Sequence, residues 1–105
     1  MKKMSKFVSL VLAMMLVLSM GSVAAAEGAL KIGFIGPLTG GAAVYGISAK
    51  QGAEIAVQEI NEKGGLQIEF LAEDDEHDPE KSINAFSTLY DAGAQVIVGS
   101  VTTAP

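Results

Sequence analysis

A glycine-rich stretch, "KIGFIGPLTGGAAVYG", runs from Lys31 to Gly46 and carries the first residues that could do chemistry. A strand, a glycine loop and a helix are the parts of phosphate-binding loops, where backbone N–H groups at a helix N-terminus face an anion. The P-loop pattern places a lysine and a hydroxyl residue after its second glycine, but Ala42 and Ala43 follow Gly41. The glycines also do not match G-x-G-x-x-G. The sequence therefore argues against a nucleotide site.

The same loop still has groups that could hold a small ligand. Small residues let a ligand approach the backbone, and a helix N-terminus attracts a carboxylate as well as a phosphate. Thr39, beside Gly40, can donate or accept a hydrogen bond, and Tyr45 offers an apolar ring with a hydroxyl. The stretch from Gly36 to Gly46 is about eleven residues, which is long for a strand-to-helix loop and favours a functional role. The alternative is a flexible connection without function.

An acidic run, "EDDEHDPE" from Glu73 to Glu80, invites a metal hypothesis. Calcium loops place a glycine where Pro79 stands, and a zinc site needs more than the single His77. We therefore expect no metal here, but a solvated turn in which Asp78 caps the next helix and Pro79 takes its first position.

Hydroxyl residues follow the apolar segment "VIVG" near the end of the chain: Ser100, Thr102 and Thr103. They either line a ligand crevice or only cap a following helix. No serine lies in a G-x-S-x-G elbow and His77 is the sole histidine, so no catalytic triad can be assembled. We expect no enzyme activity and no cofactor.

The elements that must position these residues alternate between strands and helices. Periodicity predicts strands at Leu30–Ile35, Leu66–Ala72 and Gln95–Val98, and helices at Ile47–Lys63 and from Pro79 to Gly93. Connections of this length favour a parallel sheet with order β-α-β-α-β, which is part of a doubly wound α/β fold. If the first strand lies between the other two, the loops after strands one and three flank one crevice.

The helix faces and ends can also be predicted. Ser48 is the expected N-cap of the first helix, and Gly64 its C-cap. The apolar side chains at helical spacing should face the sheet. They are Ala49, Ala53, Ala56, Val57 and Ile60 in the first helix and Ile83, Phe86, Leu89 and Tyr90 in the second.

The N-terminal part of the chain has the pattern of a secretory signal peptide. A lysine-rich start precedes the apolar run Phe7–Met20 and the small residues ending at Ala26, after which we expect cleavage. A membrane anchor is the alternative, although the run is short for one. A lipoprotein needs a cysteine at the next position, where Glu27 stands. The protein should therefore be soluble in the exported compartment.

Residues 27–105 hold four lysines and twelve acids, a net charge of −8, and the chain has no cysteine. This charge argues against a nucleic-acid partner, which needs a basic face. Without cysteine the chain can form neither a disulfide nor a thiol nucleophile.

Three segments together resemble a known family. The first is "IGFIGPLTGGAAVYGISAKQGAEIAVQEINEKGG", the second is the turn from Asp74 to Pro79, and the third is "VIVGSVTT". They are similar to the exported solute-binding proteins of branched-chain amino acid ABC transporters, the Leu/Ile/Val-binding type. The resemblance covers all of residues 27–105 and implies the type I periplasmic-binding-protein fold. That fold has two α/β lobes joined by a hinge, and this chain would hold an incomplete N-terminal lobe.

The resemblance also implies roles for residues of this chain. Thr103 matches a hydroxyl residue that binds the backbone groups of an amino acid, and Tyr45 matches an aromatic wall of the cleft. Thr39 and Gly40 lie in the loop that shapes it. Ser100 and Thr102 are candidates from their position after the third strand, across the crevice from that loop, and not from the resemblance. Well-known relatives carry a cysteine pair at the positions of His77 and Thr102, which this chain lacks. Two further departures are a segment about three residues shorter before Asp74 and threonine rather than serine at 103.

The implied function is capture without chemistry: a monomeric receptor binds a small amino acid and delivers it to a membrane permease that works with a separate ATPase. Alternatives on the same fold are a ligand-sensing ectodomain or regulator and a binder of amides or other small solutes. An exported enzyme would need a nucleophile and base that this chain does not offer.

Overall fold

The computed structural model describes residues 2–105, and its first element is helix α1, Lys2–Glu27. The predicted signal peptide falls on α1 and on Met1, which lies outside the described residues; its cleavage stays a prediction. Within residues 2–105, no helix combines the length and apolar character that crossing a membrane requires.

The rest of the chain alternates between strands and helices, as predicted. The elements are β1 (Leu30–Gly36), α2 (Ala43–Glu62), β2 (Ile68–Asp74), α3 (Pro79–Asp91) and β3 (Val96–Val98). The three strands form one parallel sheet with order β2-β1-β3. The predicted α/β class is confirmed, and β1 lies between the other two strands, which meets the condition for the loops after β1 and β3 to flank one crevice.

Helix α2 begins four residues earlier than predicted, at Ala43. Ser48 is not its N-cap, because its hydroxyl donates to the carbonyl oxygen of Val44 at 2.7 Å inside the helix. The loop after β1 therefore contains only residues 37–42, and the expectation of an eleven-residue loop is wrong. The far end is as predicted, since Gly64 follows the helix with a φ of +78°.

Strand β2 begins two residues later than predicted, and the side chain of Asn61 explains the position. Its amide nitrogen donates to the carbonyl oxygen of Ile68 at 2.9 Å, and its amide oxygen accepts from the Ile68 N–H at 2.7 Å. This pair of bonds fixes the end of α2 to the start of β2.

Helix α3 begins as the sequence predicted. The Asp78 carboxylate accepts a hydrogen bond from the Lys81 N–H at 3.0 Å, and Pro79 takes the first helical position. At the other end, Gly93 has a φ of +88°. Local capping chemistry therefore determines both ends of α3.

The apolar face predicted for α3 is confirmed only at Leu89. Ala85 and Leu89 are buried with Ile35 in the core, whereas Ile83, Phe86 and Tyr90 are at least half exposed. Leu89 packs closely on Gly33: a Cβ there would lie 2.9 Å from the Leu89 side chain, so a larger residue would force that side chain to shift. The Phe86 and Tyr90 rings stack on each other.

The sheet-facing side of α2 is predicted in part. Of the five apolar residues expected to face inward, Ala53, Val57 and Ile60 are half-buried, while Ala49 and Ala56 are exposed.

Candidate functional site

Three loops meet at one edge of the sheet, because parallel strands place all their carboxyl ends there. The last residue of β1, Gly36, contacts the turn after β2: its carbonyl oxygen accepts from the Asp75 N–H at 3.0 Å. Gly36 also contacts the loop after β3, because a Cβ on it would lie 2.9 Å from a methyl carbon of Val101. The loop after β3 therefore lies beside the point where the loop after β1 begins.

The Asp74 carboxylate holds the loop after β1. It accepts from the Leu38 N–H at 2.7 Å, from the Thr39 hydroxyl at 2.6 Å and from the Glu76 N–H at 2.9 Å. Burial raises the pKa of Asp74, but the hydrogen bonds from Thr39 and Leu38 and the charge of Lys81 outweigh it and lower the pKa below its usual value. This anchor keeps its negative charge.

The Thr39 hydroxyl is therefore directed toward the acidic side chains at the end of β2 and in the turn after it. Its hydroxyl also lies 3.2 Å from a carboxylate oxygen of Glu76, which forms an ion pair with Lys81. The hydroxyl that the sequence offered as a ligand contact already has protein partners.

Gly40 and Tyr45 lie farther along the same segment. Gly40 has a φ of +82°, and the space that a Cβ would occupy is open. Tyr45 lies in the first turn of α2, not in the loop, and 65% of it is exposed. Directly after it, Gly46 is buried against Pro37, so the first turn of the helix lies on the loop backbone.

The loop after β3 brings three predicted hydroxyl residues together. The Ser100 hydroxyl donates to the carbonyl oxygen of Thr102 at 2.8 Å. Thr102 Oγ1 lies 2.7 Å from Nδ1 of His77. Thr103 is exposed, and within residues 2–105 its hydroxyl has no hydrogen-bond partner. Of the three, Thr103 presents the hydroxyl that a ligand could use.

Asp75 is a residue whose position the sequence interpretation missed. The acidic run was expected to be solvated, but Asp75 is 0% exposed. One of its carboxylate oxygens accepts from the His77 N–H at 2.9 Å, and the other is buried with no hydrogen-bond partner among the described residues. The sequence did offer one indication of this burial, since Asp74 and Asp75 come at the end of a strand. Residues at that position lie at the edge of the sheet where the loops converge. Among the described residues, no three or more His, Cys, Asp or Glu side chains come together in a way that could hold a metal ion.

A separate open groove of about 410 Å³ lies between the sheet and α3. Ile35, Phe86 and Ile97 contribute apolar walls, and Ser100 alone of the six candidate residues reaches it. Its chemistry does not suit a zwitterion, so the candidate site is the loop edge.

Comparison with known proteins identifies a family and several relatives of this chain. Residues 29–105 match the sequence model of the "Periplasmic binding protein" family. The chain is 37% identical over 91 residues to Leu/Ile/Val-binding protein BraC3 of Rhizobium johnstonii, covering 84% of this chain and 25% of that protein. It is 33% identical over 104 residues to the leucine-, isoleucine-, valine-, threonine- and alanine-binding protein of Pseudomonas aeruginosa, covering 96% of this chain and 28% of that protein.

A solved structure also resembles this chain in both fold and sequence. The branched-chain amino acid transporter substrate binding protein LivJ of Streptococcus pneumoniae, in complex with isoleucine, aligns with a TM-score of 0.68 and 31% identity. The alignment covers 72% of this chain and 23% of LivJ. The chain thus spans about a quarter of the length of these relatives. With a family match over residues 29–105 and a fold shared with LivJ, the chain belongs to the periplasmic binding protein family.

Proposed function

We propose that this chain is part of an exported receptor that captures leucine, isoleucine or valine and delivers it to an ABC importer. The observation that carries the proposal is the exposed Thr103 hydroxyl at the carboxyl edge of the sheet, in a chain similar to proteins named for binding these amino acids. The work of such a receptor is binding, with no bond made or broken.

In this proposal the ligand lies between the loops after β1 and β3. Thr103 bonds the ligand's charged backbone groups, while Gly40, Ser100 and Tyr45 form the rim. Thr39 and Thr102, whose hydroxyls have protein partners, contribute backbone groups. The N-terminus of α2 adds a partial positive charge that favours a carboxylate nearby.

The remaining features of the proposal concern the whole protein. Residues 1–26 act as a signal peptide, the exported protein lacks a lipid anchor, and residues 27–105 belong to the N-terminal lobe of a two-lobe monomer. A second lobe closes over the ligand by a hinge motion, driven by contacts that exist only in the closed state. The closed form then docks on a membrane permease.

Calorimetric titration of the full-length protein with leucine, isoleucine and valine tests the proposal. Thr103→Val keeps the side-chain volume but removes the hydroxyl, and Thr103→Ser keeps the hydroxyl. A hydrogen bond to a charged group contributes about 1.5–3 kcal/mol, so we expect valine at this position to weaken binding roughly 10- to 150-fold. Serine should cost far less.

Two results would contradict the proposal in different ways. Unchanged affinity in Thr103→Val would remove this residue from the site. Absence of binding to all three amino acids, in a protein that unfolds cooperatively, would contradict the assigned ligand class.

A further inference from the structure

The contact between His77 and Thr102 lies next to Thr103 in the loop after β3, and the proposed binding of the ligand does not use it. Nδ1 of His77 and Oγ1 of Thr102 are 2.7 Å apart, although 25 positions separate the residues in the chain. The contact joins the turn after β2 directly to the loop after β3. Because a hydroxyl can donate to or accept from a ring nitrogen, either tautomer of the histidine can make it.

The histidine side of this contact is fixed to the sheet. His77 has a φ of +60°, and its N–H donates to the Asp75 carboxylate at 2.9 Å. Asp75 is itself fully buried, and its N–H donates to the carbonyl oxygen of Gly36 at the end of β1. Hydrogen bonds therefore connect the central strand, through Asp75, to the backbone of His77.

The threonine side is the ligand loop. The Ser100 hydroxyl donates to the Thr102 carbonyl oxygen at 2.8 Å, and a methyl carbon of Val101 packs against Gly36. Thr103 comes next in the chain, and its own hydroxyl has no partner in the described residues. The position of Thr103 thus depends on how firmly Thr102 is held.

We propose that His77 is a positioning residue: through Thr102 it fixes the loop after β3 so that Thr103 is presented to the ligand. The proposal rests on the proposed function for its effect on affinity, and on the structure alone for its effect on the loop. His77 is exposed, so its side chain contributes little to the core. Its loss should therefore affect the loop more than overall stability.

Paired substitutions in the full-length protein separate the contact from backbone effects. Glycine and asparagine both tolerate a positive φ, but only asparagine offers a polar atom near the position of Nδ1. A neutral hydrogen bond corresponds to about a two- to ten-fold change in an equilibrium constant. We expect His77→Gly and Thr102→Val to weaken leucine binding by about that factor, and His77→Asn and Thr102→Ser to stay within about twofold of the wild type.

Backbone NMR order parameters of residues 100–103 without ligand are the second readout. They should fall in His77→Gly and in Thr102→Val, and the double variant should add little to either one, because both remove the same contact. Wild-type order parameters in both single variants would overturn the proposal, as would lower order parameters with unchanged leucine affinity. If the wild-type protein binds none of the three amino acids, the proposed function fails, and the order parameters alone then decide whether His77 holds the loop.

Discussion

The close packing of Gly46 on Pro37 leads to a quantitative prediction about helix α2. A Cβ at position 46 would lie 2.6 Å from the carbonyl carbon of Pro37, closer still to its oxygen, and 2.9 Å from its nitrogen. Carbon atoms in ordinary contact are about 3.5–4.0 Å apart, so Gly46→Ala must move the helix away by about 1 Å or more. The obstacle is backbone, which cannot rotate aside as a flexible side chain would.

The expected cost follows from two opposing effects. Forcing extra volume into a packed site costs about 1–3 kcal/mol, and a backbone obstacle belongs at the upper end of that range. Alanine also favours a helix over glycine by up to about 1 kcal/mol. We therefore expect Gly46→Ala to lower the free energy of unfolding by about 2 kcal/mol.

Gly52 provides the matched control, since it lies in the same helix with nothing within 4 Å of the space that a Cβ would occupy. Gly52→Ala should raise the free energy of unfolding by up to about 1 kcal/mol. Urea unfolding of the full-length variants, compared by midpoint and slope, measures both changes. If Gly46→Ala unfolds at the wild-type midpoint or above, the close packing of α2 on the loop is refuted.

Two further predictions concern side chains that anchor the elements. Because the folded-state pKa of Asp74 is lowered, its contribution to stability is present above its unfolded pKa and is lost as pH falls through the folded value. Asp74→Asn should therefore flatten the loss of stability between about pH 5 and pH 2 in acid titrations of unfolding. Asn61→Ala should lower the free energy of unfolding by about 1–3 kcal/mol, because it leaves the N–H and carbonyl of Ile68 without their partners. Asn84→Ala, at an exposed helix position, should be neutral or slightly stabilising in the same urea experiment, and equal costs at the two positions would contradict the anchoring role.

Local chemistry made much of the fold predictable. Asp78 and Pro79 predict the start of α3, and Gly64 and Gly93 occupy the left-handed positions that glycine favours after helices. Apolar runs bounded by such signals gave the strand order along the chain, and the connection lengths gave the parallel sheet.

Contacts between residues far apart in the chain determine the features that the sequence patterns did not predict. Ser48 looked like a cap because its type favours that position, but the start of α2 is set by how the helix packs on Pro37. Phe86 and Tyr90 repeat at helical spacing, yet both are at least half exposed, whereas Leu89 is buried against Gly33, 56 positions earlier in the chain.

The candidate site was likewise predictable in part. Its location at the ends of β1 and β3 followed from parallel topology, and the three hydroxyl residues do share one loop. Which hydroxyls are free did not follow, because Thr39 is bound by Asp74 and Thr102 by His77 across distant parts of the chain. Pair contacts of this kind leave no periodic signal in a single sequence.

Strand β3 has a consequence for handling this part of the protein. It lies at the edge of the sheet in the described chain, and the side chains of Val96 and Val98 are about half exposed. Unpaired strand edges next to apolar surface act as templates for intermolecular β-pairing. Residues 27–105 expressed alone are therefore prone to aggregate through this edge, and a lysine on its outer side would protect the sample.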